Sequence, residues 1–403
     1  MIQSGIFWLV LFSSVIVFWM LPKQLRFSFL ALASFGYLAT LDLMSVLVLV
    51  AWTLAFYWLA PLAIGKGPWQ QRLLPILILA ILGYLAYFKY IPPLIAAMSL
   101  VPIETHLIIP LGISYFTFKL IHYAVEVVRG NITDRSLSQF FTYIFLFPIF
   151  TAGPIERFDH FLANQDQKWQ LDSMVEGLTR IIHGLIKKFF IAGMLIGALL
   201  GHYGDAAGPN ASILLLNLSA LPIYKVWGFL ILSFLYLYMD FSAYSDIAIG
   251  ASRLFGIRIM ENFNFPIIAP NISNFWKRWH MSLAGWCQAY VYMPMIGLTR
   301  NPYIAVYSTM LAFGLWHAGS INRVCWGLYH ATGLIIHLTW NRIKRKKKWY
   351  FIDRLLIIRL IGIPITFMFV AVSQAFTTTD GNGGFYGALR ILAKLFFIDL
   401  PVD

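Results

Sequence analysis

Three histidines in the C-terminal half of this 403-residue chain stand among tryptophans. His280 closes Phe275-Trp276-Lys277-Arg278-Trp279-His280, His317 closes Phe313-Gly314-Leu315-Trp316-His317, and His330 ends Trp326-Gly327-Leu328-Tyr329-His330. A neutral imidazole takes a proton near pH 7, which suits a general base acting on a hydroxyl. The plainer role for each is a hydrogen-bonding residue within a helix, but ionisable groups in apolar segments are costly enough to point to function. Metal ligation fits poorly, because the chain has no HExxH, no CxxC and no acid at helical spacing from these histidines. No Gly-x-Ser-x-Gly elbow marks a serine nucleophile. Asp240 and Asp246 interrupt a largely apolar stretch, whereas Glu156-Arg157 and the Glu126/Arg129 pair read as structural braces.

The elements that must position these residues are membrane helices. Hydrophobic residues make up 60% of the chain and charged ones 12%, so most of its surface must face lipid or another helix. Apolar runs at 6–21, 27–41, 43–64, 73–90, 107–127, 177–200, 213–238, 304–316, 325–340, 352–376 and 386–398 give roughly eleven candidate spans of a ~30 Å hydrocarbon core. The expected class is an all-α polytopic membrane protein, a single 1–403 transmembrane domain. It divides into N-terminal spans (1–136), a core bearing the chemistry (137–340) and C-terminal spans (341–403). Between 255 and 295, and again over 148–161, prolines, asparagines and aromatics mix so closely that no clean span can be drawn. Such backbone at membrane depth must be shielded by protein or line a wet cavity, so re-entrant and interfacial segments are expected there. The polar stretches 201–211 and 377–384 are too short to fold alone.

The formal charge of +13 comes from basic residues in short loops, which fits membrane orientation and anionic lipid headgroups better than nucleic acid. Lys23 and Arg26, Lys66 and Arg72, and Arg129 and Arg135 alternate with loops free of Lys and Arg at 41–42 and 99–106. That alternation places the N-terminus outside and the basic loops, including 342–348, in the cytoplasm. The N-terminal apolar run lacks a small-residue cleavage site and reads as a first span. Cys287 and Cys325 match neither a metal site nor a disulfide framework.

Several ordered motifs resemble the membrane-bound O-acyltransferase family on its bacterial branch. They are Phe88-Lys89-Tyr90, Pro110-Leu111-Gly112-Ile113-Ser114-Tyr115-Phe116-Thr117-Phe118, and Gly153-Pro154-Ile155-Glu156-Arg157-Phe158. Asp240-Phe241-Ser242-Ala243-Tyr244-Ser245-Asp246 and Glu261-Asn262-Phe263-Asn264-Phe265-Pro266 follow, and the histidine motifs close the series. The resemblance implies a ring of tilted helices around a thinned centre, where a tunnel joins a cytoplasmic acyl donor to an extracytoplasmic acceptor. It puts the family's invariant histidine on His317 and its second conserved histidine on His280. His330, Trp316, Trp279, Arg278, Asp240 and Asp246 are left in support.

On this reading His317 is the general base, and His280 orients substrate or stabilises charge on the thioester carbonyl. No bound cofactor is implied. The co-substrate is an acyl thioester, acetyl-CoA or an acyl carrier protein. The expected partner is a periplasmic acetyltransferase or esterase-like protein, and the expected location is the plasma membrane. Within the family the wording is most like the polysaccharide O-acetyltransferase subunits and next like the D-alanine-transfer proteins. A transporter of acyl groups or envelope precursors, and a non-catalytic scaffold, are the readings from other classes. The chain departs from the family pattern at Gln288-Ala289, where relatives usually carry Arg-Asp, and at Ala318 and Ala243, where glycine is common.

Overall fold

The computed structural model describes residues 2–92, 109–166, 168–201, 209–349 and 355–401. The loop at 99–106, most of 201–211 and the starts of the 107–127 and 352–376 spans lie outside the described residues. The described chain is helical almost throughout, with one isolated bridge between Gln165 and Ile257. Among the described residues, five helices are long and apolar enough to cross a membrane: Leu43–Ala63, Pro68–Lys89, Leu171–Gly201, Ile223–Leu254 and Leu356–Thr378. Gly5–Met20 and Leu137–Ile149 are apolar but shorter.

One expected span is divided. The 213–238 run is a short helix, Ser212–Leu216, followed after Pro222 by the 32-residue helix Ile223–Leu254. Proline supplies no N–H and suits a helix entrance, so the helix restarts there. It then runs on through Asp240 and Asp246, two acids that hydropathy alone makes a boundary. It can do so because both carboxylates are paired with basic residues of Leu171–Gly201.

The chain forms two compact units. The first comprises residues 1–184 and 244–261. Its core is aromatic: Tyr123 lies 4.1 Å from Phe140 between ring centroids, and Phe158 packs edge-on against both. Lys119 is buried here, and its ammonium donates to the carbonyl of Tyr143 at 2.9 Å. The family-like stretches at 88–90 and 110–118 meet where Lys89 Nζ donates to Ser114 Oγ at 2.9 Å. Helices Leu171–Leu185 and Ile223–Leu254 touch at Gly177 and Gly250, where a Cβ on Gly250 would stand 2.5 Å from the Gly177 carbonyl oxygen. Beside that crossing Arg180 binds Asp246 at 2.9 Å and Glu261 at 2.7 Å.

The second unit comprises residues 185–243 and 262–403. A hydrophobic cluster including Leu200, Leu214, Phe229, Leu230 and Ile391 forms part of its core. Its central feature is a hairpin of two helices, Pro302–His317 and Ile321–Lys346. Asn301 caps the first through Tyr303 N–H, with Pro302 at the opening position, and Ser320 caps the second through Arg323 N–H. Gly314 faces the Arg323 carbonyl and Gly327 faces the Met310 carbonyl so closely that a Cβ would stand 2.2 Å and 2.5 Å away. The hairpin can therefore close only with glycine at both positions. Asn322 then ties its turn to Phe376 and Thr379, and Arg323 pairs with Asp380 at 2.7 Å.

Candidate active site

The hairpin puts His317 on the last turn of one helix and His330 on the first turns of the next. His280 arrives from a different element. The segment before it turns through the short helices Pro266–Ile268 and Ile272–Trp276, then enters the helix Met281–Cys287 with His280 at its mouth in the left-handed region (φ 44°). The expected re-entrant stretch is therefore a series of short helices closed by hydrogen bonds. Asn264 N–H donates to the Arg278 carbonyl at 3.0 Å, and Met281 N–H donates to the Asn262 carbonyl at 2.9 Å.

An aromatic chain joins the three histidines. Trp316 lies 5.7 Å from the His280 ring and 4.8 Å from that of its neighbour His317. His317 lies 5.7 Å from Trp326, which lies 4.7 Å from His330. His330 is boxed by Trp276, Trp326, Tyr329 and Phe369. The exposures differ: His280 and His330 are 1% exposed, while His317 is open at its helix end. An imidazole enclosed like His280 is carried neutral, since charge is expensive away from water.

Hydrogen bonding separates the histidines further. His280 Nδ1 lies 3.2 Å from Asn262 Oδ1, which also accepts from Ser282 Oγ at 2.6 Å. His280 Nε2 has no hydrogen-bond partner among the described residues, and neither nitrogen of His330 has one.

The remaining expected residues divide in function. Trp316 belongs to the array. Trp279 does not touch the histidine rings in the described contacts; it packs against Phe234, Tyr238, Phe263 and Phe275 and supports the His280 turn. Arg278 donates to Asn274 Oδ1 at 2.7 Å and to the Asn264 carbonyl at 3.0 Å, so it braces that turn. The described ion pairs of Asp240 and Asp246 run to Lys188 and Arg180. Phe241, next to Asp240, is the residue that reaches the site, with its ring 4.7 Å from His280. Asn262 and Ser282 were not singled out by sequence reasoning. The available signal was an Asn and a Ser flanking a histidine motif amid prolines, where a polar side chain must have a partner.

The departures from the family pattern find local accommodation. Ala318 is extended (φ −158°), which any residue adopts, so glycine is not required after His317. Gln288 and Ala289 open a π-helical turn, Gln288–Tyr292, and Gln288 lines a cavity of about 220 Å³ with Trp276, Tyr292, Thr309 and Phe313. Among the described residues no group of three His, Cys, Asp or Glu side chains is placed to hold a metal ion.

With this geometry in view, residues 4–358 match the membrane-bound O-acyltransferase family. The chain belongs to that family, and it is a multi-pass membrane protein. It is 32% identical over 355 residues to a protein of Pseudomonas aeruginosa named "probable alginate O-acetylase AlgI", covering 83% of this chain and 66% of that one. It is 31% identical over 278 residues to a teichoic acid D-alanyltransferase of Bacillus subtilis, covering 64% of this chain and 66% of that one. A peptidoglycan O-acetyltransferase of Helicobacter pylori is 30% identical over 305 residues, covering 67% and 56%. The chain thus spans between 56% and 66% of the length of these curated relatives.

Proposed function

We propose that this chain is an O-acyltransferase of the plasma membrane, moving an acetyl group from a cytoplasmic thioester to hydroxyls of an extracytoplasmic polysaccharide or cell-wall polymer. The observation that carries this reading is that the rings of His280 and His317 both pack edge-on against the Trp316 ring, at 5.7 Å and 4.8 Å between centroids. Two imidazoles gathered on one aromatic, one open and one enclosed, provide a base and a second polar group for a single reacting pair. His317 accepts the proton of the acceptor hydroxyl as its oxygen attacks the thioester carbonyl. The C–O bond forms, the tetrahedral intermediate collapses, the C–S bond breaks, and the proton leaves with the thiol. A general base of this kind is worth about 10²–10⁴-fold. Holding both substrates in one site supplies the proximity contribution.

In this reading roughly eleven segments cross the membrane, with the N-terminus outside. The donor is acetyl-CoA or a carrier-bound acyl group. The partner is an extracytoplasmic esterase-like protein that passes the group onward. Similarity to a teichoic acid D-alanyltransferase favours a second reading, D-alanyl transfer from a carrier protein.

The test is reconstitution of the purified chain in vesicles, with thioester donor on one side, hydroxyl acceptor on the other and mass spectrometry of the acceptor. A mass gain of one acetyl group supports the first reading, and one of alanine the second. Translocation of the acyl group with no covalent product would instead make the chain a carrier and overturn both.

A further inference from the structure

We propose that Asn262 is a positioning residue that sets the proton of His280 on Nδ1, leaving Nε2 as a hydrogen-bond acceptor for a hydroxyl of the acceptor substrate. The identity of the ligand rests on the acyl-transfer reading above, whereas the tautomer does not. Asn262 Oδ1 stands 3.2 Å from His280 Nδ1 and 2.6 Å from Ser282 Oγ. A carbonyl oxygen only accepts, so the hydroxyl and the ring nitrogen both donate to it. A neutral imidazole that donates from Nδ1 carries its lone pair on Nε2, and that atom is the one without a partner among the described residues.

The surroundings keep the ring in this state. His280 and Asn262 are both essentially enclosed, at 1% and 0% exposure, and the ring's described neighbours Phe241 and Trp316 bring no charge. Asn262 also holds the backbone, since its own carbonyl accepts from Met281 N–H at 2.9 Å and so pins the left-handed turn at His280. One residue thereby sets both where the ring sits and which nitrogen is bare.

The chemical consequence is a division of labour. A bare Nε2 cannot donate to charge developing on the thioester carbonyl, so His280 serves the hydroxyl side of the reaction. The substrate this suits is a polyol such as a sugar, in which one hydroxyl donates to His280 while its neighbour gives its proton to His317.

The test uses the full chain with nitrogen-15 histidine in lipid vesicles, the His280 signals being identified by their loss in His280→Gln. The expected spectrum shows protonated Nδ1 and bare Nε2. Asn262→Leu should abolish that preference, Asn262→Asp should keep it, and Ser282→Ala should leave it unchanged. In turnover, Asn262→Leu should lower kcat about ten- to a hundredfold with the donor KM unchanged. Asn262→Asp should recover part of that loss and move the acid limb of the pH–rate profile upward, because a carboxylate favours the charged ring. Protonated Nε2 in the unmodified chain, or an unchanged spectrum in Asn262→Leu, would overturn the proposal. If Asn262→Leu fails to fold, loss of the tautomer in Asn262→Asp would do the same. The expected spectra without acyl transfer would leave the tautomer assigned and overturn the acyltransferase reading alone.

Discussion

Two buried polar clusters, one in each unit, treat their hydrogen bonds in opposite ways. In the first unit the Glu156 carboxylate is 1% exposed and well supplied: it accepts from Arg157 N–H at 3.1 Å and Met260 N–H at 2.7 Å, and it meets His160 Nδ1 at 2.7 Å. The sequence suggests Arg157 as its counter-charge, but among the described contacts its charged-type partner is the His160 imidazole, an ion pair when that ring is protonated. In the second unit His280 is equally buried but has one nitrogen engaged and one bare. A buried polar group whose hydrogen bonds are met stabilises the fold, whereas an open nitrogen is costly in apolar surroundings. His330 bears that cost inside its aromatic box, while at His280, on the Trp316 ring it shares with His317, a substrate hydroxyl would meet it.

The comparison can be broken most directly at His317. Replacing it with Ala should lower acyl transfer in reconstituted vesicles by about 10²–10⁴-fold while yield and membrane insertion stay unchanged. Full activity in that variant would remove His317 from the chemistry. Glu156→Ala should do the reverse, because each buried amide left unpaired costs about 1–3 kcal/mol. The thermal midpoint of the detergent-purified protein should fall, and any activity loss should follow the loss of folded protein.

Gly314→Val tests whether the hairpin's close approach matters to the site. Its Cβ would stand 2.2 Å from a backbone oxygen, and overpacking of that kind costs about 1–3 kcal/mol. Both stability and turnover should drop, whereas unchanged turnover would separate the array from the hairpin. His330→Phe keeps a flat ring inside the aromatic box. Volume-conserving swaps cost under about 1.5 kcal/mol, so turnover should change by at most about tenfold. A larger loss would promote His330 from packing to chemistry.

The smallest effect is one of pH. The hydrogen bond from Glu156 raises the His160 imidazole above its ordinary value. The stability this contributes is complete below about pH 6.5, where the unfolded ring is charged as well, and fades as pH rises through the folded value. The thermal midpoint of the unmodified chain should therefore decline over that window more than that of His160→Gln. Equal declines would show that the pair is not the source.

Much of the architecture was legible in the sequence because burial in lipid leaves a coarse signature. Runs at 6–21, 43–64 and 73–90 correspond to helices, since about 20 apolar residues have few other uses. Hydropathy alone ends the Ile223–Leu254 helix early because it counts Asp240 and Asp246 as liabilities, and only their ion pairs cancel that cost. The loop prolines likewise announced that 255–295 was irregular, without saying which residues its turns would join.

The histidine motifs were visible as local patterns of Trp and His, and residue type alone identified groups able to move a proton. Which histidine is open, which is enclosed and which nitrogen is bare depended on the partner chosen across the fold. Asn262 lies 18 residues before His280, a separation that no local rule connects. The sequence determined the chemistry that was available, because side-chain type and hydrophobic pattern are local properties. The tertiary structure decided its direction, because a tautomer and an unfilled valence are set by contacts between segments that meet only after folding.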